Sequence, residues 1–196
     1  MRGSYSTLET RALRPLRALL ARILIPIVWL LVKLRVPPNA VSLSQIPVGI
    51  VAAALVAYSP RVSFLLFVFA VVFDGIDGAL ARRLGKESNH GALVDQVSDH
   101  AREIAMIAGL AFSGALNGGL AAAYAFSHPL SNFMLYLGSA KLVRAPFAVK
   151  TWMSFYPFLF LYLWFEINYL DLAAGISVGA MVIVSFWLLW SLRNRM

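Results

Sequence analysis

Apolar residues fill this chain in long blocks separated by short polar joints rich in glycine and proline, and the block lengths predict the architecture. A helix that crosses a bilayer needs about 20 mostly apolar residues, and six stretches after residue 40 come close to that. They are 40–58, closed by Ser59-Pro60; 62–84; 89–112; 120–143; the aromatic-rich 152–165; and 172–192. A Ser-Gly-Ala-Leu-Asn-Gly-Gly turn leads into the fourth, where Pro129 predicts a kink. The stretch before them behaves differently. Residues 8–36 mix Arg11, Arg14, Arg17, Arg22, Lys33 and Arg35 with apolar side chains, and the uncharged run 23–32 is broken by Pro26. That is too short to span. It reads as a basic amphipathic helix lying in the interface, bent at Pro26, with a tilted span carrying snorkelling arginines as the alternative. Pro37-Pro38 ends it.

Composition agrees with that pattern. Of the 196 residues, 60% are hydrophobic and 13% charged, with a mean hydropathy of +0.76. Soluble chains carry roughly a quarter charged residues. The expectation is one all-α integral membrane domain over 1–196, made of the interfacial helix 8–36 and a six-helix bundle at 40–192. No internal repeat interrupts it. The net charge of +8 lies around apolar blocks, which points to anionic lipid headgroups and not to nucleic acid. With no cysteine, disulfides, thiolate metal sites and a cysteine nucleophile are excluded. A cleavable signal peptide is not expected, because the first apolar run is late and lacks a small-residue cleavage pattern. Threading the six blocks alternately puts fifteen Arg and Lys on one side and Arg61 alone on the other, with Arg102 inside a span. The positive-inside rule then makes the protein a multi-pass cell-membrane protein with both termini cytoplasmic.

Six of the nine acids fall between Asp74 and Glu103, where the flanking sequence is apolar. The spacing is D-x-x-D-G-x-x-A-R-x8-G-x3-D-x3-D, from Asp74 to Asp99. On the second helix, Asp74, Asp77, Gly78, Ala81 and Arg82 share one face; on the third, Gly91, Asp95 and Asp99 do. The short joint between the helices makes them antiparallel neighbours, pairing Asp74 with Asp99 and Asp77 with Asp95 in depth. Asp74 lies roughly 12 Å along the axis from Arg82. Four carboxylates therefore converge near the cytoplasmic surface. Each charge at the bilayer centre costs about 3 kcal/mol on insertion scales, so protonation or cations must offset them. Oxygen ligands alone favour Mg²⁺ or Mn²⁺, and two such ions suit phosphoryl chemistry. The small residues leave space, and Arg82 offers a planar fork for phosphate.

All eight positions match the signature of the CDP-alcohol phosphatidyltransferases, and Pro38-Asn39-Ala40-Val41-Ser42 resembles that family's stretch before its first span. The resemblance implies transfer of a phosphatidyl-type group from a CDP-lipid donor to a small alcohol acceptor, with release of CMP. It implies that Asp74, Asp77, Asp95 and Asp99 hold two Mg²⁺ or Mn²⁺ ions and that Asp99 is also the general base. Asp77, Gly78, Ala81, Arg82 and Gly91 would receive the CDP moiety. It further implies a homodimer with its active site at the cytoplasmic face.

The acceptor is less legible. Lys141, Arg144 and Lys150 cluster after the fourth span, either as a pocket for an anionic acceptor (inositol phosphate or glycerol phosphate) or as positive-inside flanking. Lys141-x-x-Arg144 loosely resembles basic residues of inositol-phosphate members, although 145–157 contains no acid. Serine or an amino-alcohol is the alternative acceptor, and would need Glu103 or Glu166 near its amine. Arg102 and Glu103 either orient the metal site or form an ion pair on the helix. His100 reads as structural, His90 as a loop residue, and His128 as satisfying backbone freed by Pro129. The aromatics 155–164 read as a lipid-facing or interface-anchoring surface, and Glu166 and Asp171 as the outer loop's polar boundary. Two other classes compete: a membrane prenyltransferase, which favours D-x-x-x-D pairs, and a cation transporter, which favours mid-membrane acids and repeated halves.

Overall fold

The computed structural model describes residues 14–143 and 145–193, the side chains of 14–22 excepted. Every apolar block becomes helical: α1 Arg14–Lys33, α2 Pro38–Ala54, α3 Pro60–Leu84, α4 Asn89–Phe112, α5 Gly118–Ala140, α6 Thr151–Ser154, α7 Tyr156–Phe165 and α8 Leu170–Arg193. Among the described residues there is no strand. The expected fifth span is two helices, broken at Phe155 just before Pro157, which cannot donate the next ladder hydrogen bond.

By length and apolarity, α3 and α8 each qualify alone to cross a membrane, and α1 with α2 qualifies as a pair bent by 112°. That count of two to three is smaller than six for physical reasons. Helix α2 has 17 residues, α7 has 10, and α4 carries Asp95, Asp99, Arg102 and Glu103 within its length. The described surface displays many large apolar side chains, including Phe112, Phe126 and Phe186, which water would penalise and lipid does not. The protein is an integral membrane protein.

Two compact units share helices α2, α3 and α4. The first comprises the described residues up to Pro47 together with Phe69–Asp99. In it the chain turns sharply after α1. Arg35 takes a left-handed φ of 56°, and the Val36 N–H closes on the Leu31 carbonyl at 3.0 Å. Leu24 and Val28 of α1 then pack on Val41 of α2 and on Ile76 and Leu80 of α3. Elsewhere around α1, Ile25, Trp29 and Leu30 are exposed.

The second unit comprises Val48–Val68 and the described residues from His100 on. Its helices meet through small residues. A Cβ on Gly109 would stand 2.5 Å from the Ala53 carbonyl oxygen, so only glycine permits that approach of α4 to α2. The Ser63 hydroxyl donates to the Ala52 carbonyl at 2.7 Å, joining α3 to α2. Helix α5 packs along α8.

Candidate functional site

The turn between α3 and α4 sets the register of the acidic motif. Helix α3 ends with Gly85 at φ 63°, and the Lys86 N–H reaches back to the Ala81 carbonyl at 3.0 Å. Glycine suits this closure because a left-handed residue with a Cβ is strained. Ser88 then caps α4, its hydroxyl accepting the Gly91 N–H at 3.0 Å. The two motif faces are thereby brought together within the first unit.

Asp74, Asp95 and Asp99 each offer a carboxylate oxygen, and the three oxygens lie within 4.8 Å of one another. Oδ1 of Asp95 is buried and makes no hydrogen bond. An acceptor left without a donor in such company fits a hard divalent cation, since the donor set is oxygen only. Asp77 is placed differently. It is 4% exposed, and the Ser42 hydroxyl of α2 donates to its Oδ2. It still lies within electrostatic reach of Asp95, as do Asp74 and Asp99.

The remaining motif residues line a cavity of about 180 Å³ that includes Asp77 and Asp95. Gly78, Ala81, Arg82 and Gly91 are all on its wall. A Cβ at Gly78 would come within 3.3 Å of a terminal nitrogen of Arg82, so the absent methyl leaves room for the guanidinium to fold back over its own helix. At Gly91 a Cβ would stand 3.3 Å from the Ser88 hydroxyl and 3.5 Å from the Asn39 amide oxygen. Asn39, Ser42, Lys86 and Ser88 also line the cavity, and sequence reasoning assigned them no role. Pro38-Asn39-Ala40-Val41-Ser42 was the available signal, but nothing in its spacing told which side chain would face the acids.

In the second unit several expectations change. Glu103 is buried, and its two oxygens accept the hydroxyls of Tyr124 at 2.9 Å and Tyr156 at 2.6 Å. It links α4, α5 and α7 from a buried position, held by two hydroxyls of its own chain. Arg102 is also buried; its guanidinium lies 5.9 Å from the Phe67 ring centroid, and its stem fills the space beside Gly49. His100 packs on His128 with ring centroids 4.9 Å apart, in line with a structural role. His128 does not serve the backbone freed by Pro129, because its buried Nδ1 has no hydrogen-bond partner and its ring stacks on Tyr124. His90 is not in a loop; it lies exposed in the first turn of α4. The aromatics 155–164 are not simply lipid-facing, because Phe155 is buried against Tyr124 and Phe160 packs on Phe64. Asp171 accepts the Asn117 N–H at 2.7 Å, pinning the start of α5.

Of the expected acceptor residues, Lys141 is the exposed C-cap of α5, and Lys150 is a half-buried residue preceding α6. Arg144 lies outside the described residues. Leu142 at φ 57° and the bond from the Val143 N–H to the Gly138 carbonyl, 2.8 Å, close the helix end and seat Val143 against Leu188.

The family model described as CDP-alcohol phosphatidyltransferase matches residues 35–191. A phosphatidylinositol phosphate synthase from Streptomyces avermitilis is 37% identical over 102 residues, which are 48% of this chain and 40% of that protein. The match thus spans well under half of the relative's length. Among solved structures, the phosphatidylinositol phosphate synthase of Mycobacterium tuberculosis with CDP-DAG bound superposes with a TM-score of 0.65 at 20% identity, covering 85% of this chain and 89% of that one. The same enzyme with manganese and citrate gives 0.58 at 18% identity, covering 83% of each chain. At such identities the superpositions establish a shared fold.

Proposed function

The chain belongs to the CDP-alcohol phosphatidyltransferase family, and from that premise we propose that it moves a phosphatidyl group from a CDP-lipid to an inositol-phosphate-type acceptor, releasing CMP. The observation that carries this reading is the coincidence of two features in one unit: three carboxylates within 4.8 Å, and a cavity walled by Asp77, Gly78, Ala81, Arg82, Gly91 and Asp95. Asp95 belongs to both.

Asp74, Asp77, Asp95 and Asp99 would hold two Mg²⁺ or Mn²⁺ ions. When bound, these supply positive charge that neutralises the pyrophosphate and the departing CMP. The mycobacterial synthase solved in complex with manganese and citrate supports a divalent ion in this fold. Arg82 binds a phosphate through its fork, and Gly78 and Gly91 keep the wall close to the nucleotide. Asp99 takes the proton from the acceptor hydroxyl. That oxygen forms a bond to the lipid-side phosphorus, and the bond from that phosphorus to the CMP oxygen breaks, with the electron pair leaving on CMP.

The acceptor assignment draws on the phosphatidylinositol phosphate synthases among the similar proteins. Burial of Glu103 between two tyrosines weighs against its meeting an acceptor's amine. Lys141, Arg144 and Lys150 are the candidate anion contacts. We extend the reading to six spans, a homodimer and cytoplasmic termini, the last on the fifteen-to-one distribution of Arg and Lys.

The test is CMP release from CDP-diacylglycerol by the purified chain with Mn²⁺ or Mg²⁺. Inositol phosphate, glycerol phosphate, serine and inositol are offered separately. Release with inositol phosphate alone is expected. Release with serine would overturn the acceptor, and no release with any alcohol would overturn the reaction.

A further inference from the structure

A second cavity, of about 270 Å³, opens at the first turn of α3, in the second unit. Its wall carries one cation, Arg61, and one carboxylate, Glu166, together with apolar Val62 and Leu163. The cation is held in place. Its guanidinium carbon lies 5.9 Å from the Trp164 ring centroid, and Trp164 is itself packed against Phe64 and Phe160. Arg61 and Glu166 nonetheless form no ion pair with each other or with any other described residue. Glu166 is fixed at the end of α7 by a left-handed φ of 63°, its backbone N–H bonded to Tyr162 at 2.9 Å.

Opposite charges on one cavity wall that do not meet leave space for a ligand bearing both signs. Arg61 is the second residue of a 25-residue apolar helix, which puts the cavity at lipid-headgroup depth. Val62, on the same wall, is exposed and offers apolar surface to acyl chains. We propose that this cavity binds a zwitterionic phospholipid whose headgroup joins a phosphate to a primary amine. The phosphate sits on the Arg61 fork, beside the N–H groups opening α3. The ammonium meets Glu166, and the chains lie along Val62. An anionic headgroup without an amine satisfies Arg61 but is repelled by Glu166.

Melting temperatures of the full chain in non-ionic detergent test this. Added dioleoylphosphatidylethanolamine is expected to raise the midpoint by roughly 5 °C, the size of shift given by a ligand well above its Kd. Dioleoylphosphatidylglycerol and soluble phosphoethanolamine should leave it unchanged. Arg61→Ala and Glu166→Gln should each abolish the shift. Asp95→Asn should retain it, separating this cavity from the acidic one whatever the fate of the proposed reaction. If Arg61→Ala fails to fold, Glu166→Gln decides. An equal shift with phosphatidylglycerol, or a shift that survives Glu166→Gln, overturns the proposal.

Discussion

Helix α4 carries two acids whose surroundings are opposites. Glu103 has a hydroxyl on each oxygen, from tyrosines on two other helices, so the protein itself satisfies it. Asp95 has a buried oxygen with no donor, and two more carboxylates reach toward the same point. Both residues occupy apolar sequence, where an uncompensated carboxylate is expensive. A buried acid completed by its own chain does structural work, whereas one left incomplete among like charges calls for something from outside. That contrast separates roles which proximity in sequence blurs, because spacing alone makes Glu103 a candidate neighbour of the metal beside Asp99.

The comparison breaks first at the acidic cluster. Replacing Asp99 with Asn should lower turnover by about 10²- to 10⁴-fold, the usual contribution of a positioned base. Binding of CDP-lipid, followed by calorimetry in detergent, should survive. Asp95→Asn should do something else: the Mn²⁺-induced rise in melting temperature expected of the unmodified chain should vanish, since one of the clustered ligands is gone. If Asp95→Asn leaves that rise intact, the incomplete carboxylate is not awaiting a cation. A smaller effect belongs to Ser42, which fixes one oxygen of Asp77. Ser42→Ala should raise the half-saturating cation concentration by roughly 10- to 100-fold, as removal of a ligand-orienting partner does. Ser42→Thr, which keeps the hydroxyl, should restore it. A change in kcat with no change in cation dependence would remove Ser42 from that role.

Much of this was legible in the sequence, for a local reason. The eight motif residues recur at helical offsets across one tight turn, so periodicity alone aligns their faces and brings Asp74, Asp95 and Asp99 together, whereas Asp77 is turned to the Ser42 hydroxyl instead of joining them. Block lengths gave the helices because glycine and proline punctuate them. The break at Phe155 was visible only as Pro157, within a run otherwise helical in pattern. Ser42 was not legible as the partner of Asp77, nor were Tyr124 and Tyr156 as partners of Glu103. These contacts bridge 35, 21 and 53 positions, and arise from how helices pack, which no short-range pattern records. The two-charge cavity at Arg61 and Glu166 is hidden for the same reason, since only the packing of α3 beside α7 puts its residues on one wall.

The gentlest way to sharpen the contrast is at Glu103. Truncation to Ala removes the partner of the buried Tyr124 hydroxyl, which costs about 1–3 kcal/mol, and of the half-buried Tyr156 hydroxyl, which costs less. Glu103→Ala should therefore lower the melting temperature clearly, while the half-saturating cation concentration of the folded fraction stays unchanged. Glutamine is the finer probe. Its carbonyl still accepts one hydroxyl, and its amide can donate to the oxygen of the other tyrosine, because a phenol accepts as well as donates. Glu103→Gln should thus keep both contacts, with a stability loss below about 1 kcal/mol, whereas Asp95→Asn, the same isosteric exchange on the same helix, abolishes the cation response. Equal consequences from the two exchanges, measured by melting with and without Mn²⁺, would mean that Glu103 also serves the cation and that hydrogen-bond completeness does not divide the two acids.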